Sequence, residues 1–459
     1  MATPAKSDFV KGLGLVDSTT LVMGSMIGSG VFIVAADISR QVQSPGLLIM
    51  TWVVTALLTL IAALSYGELA AAMPQAGGQY VYLREAFGPL FGFLYGWTLF
   101  LVIQTGTIAA VAVAFAKYTG VFLPSISATN YLVGAGKVGL TTQQLLAIVL
   151  VCFLTALNTR GIRTGALVQN VFTFAKVAAL LGLIVCGFLV GRNPGALADN
   201  FNHFWRESPP LLTAIRLVGV AMVGSLFSSD AWNNVTFTAG EVRNPKRNLP
   251  LSLALGVLIV SALYLATQYV YLNVLTFPEI QNADQDRVAT AAAARMFGPV
   301  AVQLMAAAIM ISTFGCSNGL ILSGARVYFA MAKDRLFFRR AATLDGKTHA
   351  PNFALVVQGV WAILLTLSGS YNDLLDYVIF AVLLFYVLTI AGLFVLRRTR
   401  PDMERPYKAI GYPVLPALYI GAGLLIEVLL LLYKPNYTWP GLIIVLLGVP
   451  VYFVWRKVG

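Results

Sequence analysis

The feature that most restricts the fold of this chain is a series of long apolar runs that fill most of its 459 residues. Hydrophobic residues make up 58% of the sequence and charged residues only 11%, far from the composition of a soluble globular protein. A helix that crosses a bilayer needs about 20 apolar residues. The sequence therefore predicts an all-α membrane protein with twelve transmembrane helices, at about 15–39, 47–73, 90–116, 143–158, 165–190, 211–239, 250–276, 297–327, 353–369, 373–396, 413–433 and 439–455.

Basic residues are distributed unevenly between the two sides of this predicted topology. Of the 31 lysines and arginines, 21 fall on the side of the N-terminus, nine fall on the opposite side, and Lys176 alone lies within a span. An excess of lysine and arginine marks the cytoplasmic side. Both termini are therefore predicted to be cytoplasmic, with the chain in the cell (inner) membrane. A net charge of +12 could suggest a nucleic-acid partner, but the basic residues are placed as in a membrane protein, so no such partner is expected.

The first predicted span contains a stretch, Met23–Phe32, that should not remain one helix. It holds three glycines and two serines, and each glycine costs about 1 kcal/mol relative to alanine inside a helix. Within a bilayer, broken backbone persists only where it lines a cavity or is buried in protein. Unwinding would leave amides around Ser29 and Gly30 for a carboxylate, and carbonyls from Met23 to Met26 for an ammonium. The stretch therefore predicts an amino acid site, although small residues also permit close helix packing.

A second interrupted stretch, Val223–Ser229, lies 200 residues further along the chain. It matches Gly24 with Gly224, Ser25 with Ser225, and Ser29 with Ser229. Interrupted spans at corresponding places in two halves are typical of the binding site of a secondary transporter. Asp230 follows directly, and its carboxylate is expected either to face a substrate ammonium or to cap the second half-helix.

Two further charged residues lie at membrane depth. Lys176 lies eleven residues past Gly165, which is about 16 Å along a helix. A lysine there must bind carbonyls, a carboxylate or water, so we expect a role in the mechanism. Glu68 is either functional or the structural partner of a basic loop or helix end. The polar stretch Ser312–Gly319 is expected either to ligate a cation or to allow close packing.

Several of these motifs together resemble the amino acid-polyamine-organocation superfamily, and within it the L-type amino acid transporter branch. They are Gly24–Phe32, Glu68–Tyr82, Lys176, Trp232-Asn233 with Glu241–Pro250, and Gly315–Arg326. The resemblance implies the leucine-transporter fold, with helices 1 and 6 broken. Two inverted five-helix repeats would span residues 1–190 and 211–396, followed by two further helices in 413–459.

The resemblance also implies roles for residues of the first break. The amides of Ser29 and Gly30, next to Gly28, would hold the carboxylate of a substrate. The carbonyls of Met26 and Phe227 would bind its amine, and the Phe227 side chain resembles a gate over the substrate.

Residues outside the first break are assigned roles by the same resemblance. Asn233 and Tyr264 occupy positions that contact the binding pocket and the helix breaks. Lys176, together with Ser317, would take the place of a bound sodium ion beside the first break.

These features predict a sodium-independent secondary transporter, expected to be an exchanger, of L-amino acids. Neutral substrates are favoured. Cationic substrates are an alternative, because carriers of dibasic amino acids and cystine resemble this chain in having aspartate at the position of Asp230. A proton-coupled symporter is a further alternative. A channel or a membrane subunit of an energy-converting complex is a distant one, because such proton-pumping subunits usually need more buried charged residues.

Other functional classes find no support in the sequence. The run Gly28-Ser29-Gly30 lacks the third glycine and the strand context of a nucleotide loop, so no enzyme and no cofactor are predicted. Two isolated histidines and the absence of metal-binding spacings give no metal site. All three cysteines fall in predicted spans, and the loop Pro124–Thr142 contains none. In animal members of the branch that this chain resembles, a cysteine in this loop joins the carrier to a single-span glycoprotein, so the resemblance implies no disulfide-linked heavy chain here.

Overall fold

A computed structural model of the chain describes residues 9–134, 139–205, 209–368 and 371–458. Three of the basic residues counted above, Lys6, Lys137 and Arg206, lie outside the described residues. The described part is almost entirely helical, apart from one antiparallel pair of short strands, β1 (Tyr131–Val133) and β2 (Leu140–Thr141).

The described part of the chain contains nineteen α-helices. Those before residue 205 are α1 (Leu15–Met26), α2 (Gly30–Val42), α3 (Pro45–Ala72), α4 (Gln79–Phe87), α5 (Pro89–Thr98), α6 (Gln104–Thr119), α7 (Thr142–Asn158), α8 (Ile162–Leu189) and α9 (Pro194–Asn202). Those after it are α10 (Leu211–Ser228), α11 (Asn234–Phe237), α12 (Pro245–Val274), α13 (Phe277–Gln281), α14 (Val288–Phe297), α15 (Val300–Lys333), α16 (Asn352–Ser368), α17 (Tyr371–Thr399), α18 (Val414–Tyr433) and α19 (Pro435–Val458).

The described residues include nine helical stretches long and apolar enough to cross a membrane. One of them joins α5 and α6 through a π-helical segment, Leu99–Ile103. Helices α1 and α2 make a tenth span if the pair, bent by 41°, is counted as one. The described part of the chain is thus that of a mostly helical membrane protein, which agrees with the predicted class. Helices α7 and α16 coincide with two more predicted spans but are shorter, so the number of twelve stays a prediction.

Both predicted interruptions are present in the structure. Helix α1 ends at Met26 and α2 begins at Gly30, while α10 ends at Ser228 and the next helix, α11, begins at Asn234. Within the second interruption Ala231 has a φ of 64°. A left-handed conformation costs a residue other than glycine about 1–2 kcal/mol. Such strain is often retained at functional sites.

Helix α1 lies at the centre of the bundle, packed against α8, α12 and α15, while α2 packs against α10. Close approach requires glycine at Gly24, where a Cβ atom would overlap the side chains of Gln169 and Thr173. The small residues of the first span therefore serve both of the roles weighed above. They interrupt the helix, and they also let its neighbours approach closely.

Glu68 is buried near the C-terminal end of α3 and has several partners. Its carboxylate accepts hydrogen bonds from Arg397, at 2.9 and 2.6 Å, and from the Ala409 amide, at 2.7 Å. Arg405 lies 3.3 Å away. These contacts support the structural alternative for Glu68, because the carboxylate joins α3 to the end of α17 and to the segment that follows it.

Each interrupted span is also held at the end remote from its break. Arg40, near the end of α2, pairs with Asp286 at 2.8 Å. Glu241, which follows α11, forms a buried ion pair with Arg326 of α15, with an Nε–Oε2 distance of 2.9 Å. The amides of Gly12 and Leu13 donate to the Glu241 carbonyl. These contacts therefore hold both ends of the first interrupted span and the α11 end of the second.

Candidate functional site

The Lys176 ammonium is buried against the end of α1. Its Nζ atom donates to the carbonyls of Gly24 and Ile27, each at 2.7 Å, and to the Ser312 carbonyl at 3.1 Å. Carbonyls in the last turn of a helix lack intrahelical partners, and a cation is stabilised at that end by the helix dipole. The lysine thus supplies a fixed positive charge that connects α8, the first break and α15.

Ser312 completes this arrangement from α15. Its hydroxyl lies 3.0 Å from the Ile27 carbonyl oxygen and 2.9 Å from that of Gly28. The resemblance assigned Ser317 to this place, whereas in the structure Ser312 is the serine whose hydroxyl bonds the carbonyls of the first break. The Ser317 hydroxyl is buried and has no hydrogen-bond partner among the residues described. Five positions separate the two serines, which is about 140° around a helix, so only one of them can point at Lys176.

Tyr264 connects the two interrupted spans. Its hydroxyl lies 3.1 Å from the Met26 carbonyl oxygen and 2.9 Å from that of Ser228, which are the last residues of α1 and α10. The Met26 carbonyl also accepts the Gly28 amide at 2.9 Å. A substrate amine can therefore reach this carbonyl only by displacing an existing donor. The proposed contact between Met26 and the substrate requires such an exchange.

The start of α2 offers amides to an anion. Because α2 begins at Gly30, its first amides have no acceptor within the helix, and a helix N-terminus favours negative charge. A Cβ atom on Gly30 would overlap Ser228, whereas one on Gly28 would lie 3.4 Å from the Cys316 sulfur. The predicted carboxylate site at Ser29 and Gly30 thus lies directly against Ser228, the last residue of α10.

Asp230 belongs to a chain of buried polar groups in the second break. The Tyr386 hydroxyl lies 2.6 Å from its carboxylate and 3.1 Å from the Asn233 side-chain oxygen. Asn233 donates to Gln79 at 2.7 Å, and Gln79 donates to Thr389 at 3.0 Å. The chain joins the second break to α4 and α17. Asn233, the predicted helix-break residue, is one of its members.

Two observations bear on the alternative roles of Asp230. Helix α11 begins after Asn233 and has no side-chain cap hydrogen bond at its start, which gives the capping role no support. Asp230 also lines two small cavities, as expected of a group that faces a binding site. Phe227, the predicted gate, is buried one residue before the end of α10, and its carbonyl accepts the Asp230 amide at 3.2 Å.

The cavities around Asp230 are small. One, of ≈ 20 Å³, is lined by residues that include Thr59, Leu226, Ser229 and Tyr419. The other, of ≈ 10 Å³, is lined by residues that include Gln79, Gln104 and Asn233. Each volume is that of about one water molecule. An amino acid can enter here only after the surrounding side chains separate.

Sequence reasoning missed three residues that complete the site. Tyr386 is one of three hydroxyl-bearing residues in its predicted span, with Tyr377 and Thr389, and no pattern distinguished it. Gln79 follows the glycines of a predicted turn, which gave no sign that its amide reaches Asn233. Ser312 lies in a stretch noted for its polar residues, but the orientation of the helix was not known.

An all-helical membrane fold with a buried polar centre between two interrupted spans defines a membrane transport protein. The family model for amino acid permeases matches residues 13–454, nearly the whole chain. The chain therefore belongs to the amino acid permease family, whose members are transporters and not enzymes. This result confirms the resemblance drawn from the sequence motifs.

Known transporters of this family align with the chain over most of its length. The b(0,+)-type amino acid transporter 1 of Mus musculus is 28% identical over 452 residues, covering 98% of this chain and 89% of that protein. The serine/threonine exchanger SteT of Bacillus subtilis (strain 168) is 29% identical over 455 residues, covering 97% of each. The large neutral amino acids transporter small subunit 2 of Homo sapiens is 30% identical over 445 residues, covering 97% of this chain and 80% of that protein.

Proposed function

We propose that this protein is a sodium-independent exchanger of L-amino acids that prefers neutral substrates. In this proposal the substrate carboxylate binds the amides of Ser29 and Gly30, at the start of α2. The amine lies near the carbonyl ends of α1 and α10, at Met26 and Phe227. Transport proceeds by alternating access in a leucine-transporter fold of twelve spans, with inverted repeats at 1–190 and 211–396 and two further spans in 413–459.

The observation that carries the proposal is the position of the Lys176 ammonium. Three carbonyl oxygens within 3.1 Å form the kind of oxygen cluster that binds a metal cation. Here a covalently attached cation occupies the cluster. A site filled in this way has no need of sodium to hold the first break, which supports sodium independence.

The polarity of the breaks supports a zwitterionic substrate. Amides at the start of a helix favour a carboxylate, and carbonyls at the end of a helix favour an ammonium. The first break offers both within the few residues from Met26 to Gly30. Names of relatives agree with this choice, since two of them are described as transporters of amino acids and one as a serine/threonine exchanger.

A thermal-shift screen of the purified protein against the twenty amino acids tests the proposal. A ligand that binds only the folded state raises the melting temperature by mass action. We expect one group of neutral L-amino acids to raise it and their D-enantiomers to have a smaller effect. No shift with any amino acid would contradict the proposed function.

Cationic amino acids are the second candidate substrates, and Asp230 is the reason. Its carboxylate is buried, and the side chain that bonds it is the hydroxyl of Tyr386. A substrate guanidinium or ammonium would form a stronger, charge-assisted hydrogen bond. Neutral substrates are still preferred, because the Tyr386 hydroxyl already supplies one of the hydrogen bonds that the Asp230 carboxylate can accept.

Competition by arginine and lysine against a neutral substrate separates the two candidates. The assay compares the native protein with Asp230→Asn, which keeps the size of the side chain and removes its charge. We expect weak inhibition in both proteins. Strong inhibition in the native protein that disappears in Asp230→Asn would instead establish cationic substrates.

The remaining expectations complete the proposal. The excess of basic residues on one side supports an inner-membrane location with both termini in the cytoplasm. The absence of cysteine from the loop Pro124–Thr142 supports a carrier that works without a disulfide-linked heavy chain.

A further inference from the structure

Gln268 of α12 is a buried amide without partners. The side chain is 0% exposed, and neither its oxygen nor its nitrogen has a hydrogen-bond partner among the described residues. A buried polar group left unpaired costs about 1–3 kcal/mol. Such groups are rare in native proteins, and each needs an explanation.

The neighbours of Gln268 on the same face of α12 point to the helix breaks. Tyr264 lies four positions earlier and donates to the carbonyls of Met26 and Ser228. Tyr271 lies three positions later and donates to the Val31 carbonyl at 3.1 Å. Residues three and four apart share one helix face. Gln268 therefore lies between two contacts that bracket the first break on either side, at residues 26 and 31.

Three other polar side chains near the break already have hydrogen-bond partners. Lys176 and Ser312 bond the carbonyls of the first break. The hydroxyl of Thr267, next to Gln268, donates back to the Leu263 carbonyl of its own helix at 2.7 Å. The Gln268 amide thus lies on this face of α12, level with the start of α2. It has no hydrogen-bond partner among the described residues.

We propose that Gln268 is a further substrate contact, whose amide nitrogen donates to the α-carboxylate held by Ser29 and Gly30. This inference rests on the proposed function. A neutral amide suits the position because it adds a donor beside the helix N-terminus without leaving a buried charge when no substrate is bound. The substrate carboxylate then supplies the partner that the folded chain lacks.

The inference predicts opposite effects on stability and on binding. Gln268→Met keeps the length of the side chain and removes both polar atoms. Without substrate this variant melts at a higher temperature than the native protein, because an unpaired buried amide is replaced by an apolar group. It also binds amino acids more weakly, because it lacks a donor to their carboxylate.

Dissociation constants for L-serine, L-leucine and L-arginine, and for the carboxamide of each, test the inference on the purified full chain. The native protein prefers the acid to its carboxamide. In Gln268→Met this preference falls by at least about tenfold, as expected for the loss of one hydrogen bond to a charged group. Thr267→Val is the matched control, since it removes a neighbouring buried hydroxyl that bonds its own helix, and it keeps the native preference.

Each other outcome has one meaning. An unchanged acid preference in Gln268→Met, with a higher melting temperature, overturns the inference and leaves Gln268 as a tolerated packing residue. A lower melting temperature without substrate also overturns it, because the amide then has a partner in the substrate-free protein. Failure of the native protein to bind any of the probes contradicts the proposed function itself, so the two failures are distinguishable.

Discussion

At the scale of single residues, the first break is held by side chains that donate to backbone carbonyls. Lys176, Ser312 and Tyr264 reach it from three different helices, α8, α15 and α12. Interrupting a helix in a membrane exposes carbonyls that water cannot reach, and each must find a donor. The polar side chains around the break are therefore a physical requirement of the interruption.

Replacing Lys176 by alanine should abolish most transport. Three buried carbonyls would lose a charged donor, and unpaired buried groups cost about 1–3 kcal/mol each. We expect uptake to fall at least about tenfold, the melting temperature to fall, and expression to fall less than uptake. Phe174→Ala is the control on the same helix, since Phe174 is 59% exposed and should tolerate truncation. Uptake in Lys176→Ala equal to that of the native protein would remove the lysine from the mechanism.

Gly30→Ala should destabilise the protein by overpacking. The new Cβ atom would lie 2.9 Å from the Cβ of Ser228 and overlap its hydroxyl, and overpacking typically costs about 1–3 kcal/mol. Gly28→Ala is the matched control, because its Cβ would meet the Cys316 sulfur at an ordinary 3.4 Å. Adding Ser228→Gly to Gly30→Ala should restore part of the lost melting temperature. Equal melting temperatures for Gly28→Ala and Gly30→Ala would contradict the described packing.

Some site residues could be found from the sequence because they are charged, while others were missed because they are uncharged. Lys176 and Asp230 are charges in apolar spans, so their cost in a membrane marks them. Ser317 was assigned by the resemblance, and Ser312 was missed because composition indicates the polarity of a helix but not its rotation. Gln79 and Tyr386 carry no unusual charge, and their role depends on contacts between segments distant in sequence.

At the scale of elements, the short helix α4 connects the second break to two long helices. At its start, Gln79 bonds Asn233 and Thr389 of α17. In its middle, Tyr80 donates to Asp334, just after α15, at 2.7 Å, and Arg84 pairs with the same carboxylate. Near its end, Glu85 pairs with Arg400 at 2.6 Å. Helix α4 is therefore bonded both to the second break and to residues in or just after α15 and α17.

The attachment of α4 should depend on pH through Glu85. Burial raises the pKa of the Glu85 carboxyl, but hydrogen bonds from Arg84 and Arg400 outweigh burial and hold the pKa below its ordinary value of 4.5. A lowered pKa in the folded state stabilises the fold at pH values above 4.5, and this stabilisation is lost as the pH falls through the folded-state value.

We therefore expect Glu85→Gln to lower the melting temperature by about 1–2 °C at pH 7, as for a partly exposed ion pair. The difference from the native protein should shrink as the pH falls below 4.5. Glu404→Gln is the control, because Glu404 pairs with Lys246 at a more exposed site and should show a smaller effect. A difference that does not change with pH would show that the Glu85 charge plays no part in holding α4.

Element positions were largely predictable from sequence, while contacts between elements were not. Apolar runs placed most long helices, and the glycine-serine stretches placed both interruptions. The turn before α4 was predicted from Pro74 and the paired glycines, Gly77 and Gly78. The packing of α4 against the second break was not predictable. It involves the Gly77 amide, which donates to the Phe237 carbonyl at 3.0 Å. These residues are 160 positions apart, and no local pattern predicts their contact.

At the scale of the whole molecule, an ion pair lies at the far end of each of the half-helices that leave the two breaks. The Arg40–Asp286 pair holds one end and the Glu241–Arg326 pair holds the other, and the cavities between them hold about one water molecule each. A substrate can enter or leave only when one of these ends opens. In an exchanger, the switch between the two open states requires bound substrate. A ligand drives such a conformational change only if it binds the two states with different affinity.

Efflux of a labelled amino acid from proteoliposomes tests this account most directly. Vesicles containing the purified protein are loaded with the amino acid that gives the largest thermal shift, and release is followed with and without the same amino acid outside. The account predicts rapid release only when external amino acid is present, at a rate unchanged when choline replaces sodium. Equal release into buffer without amino acid, or release that requires sodium, would contradict it.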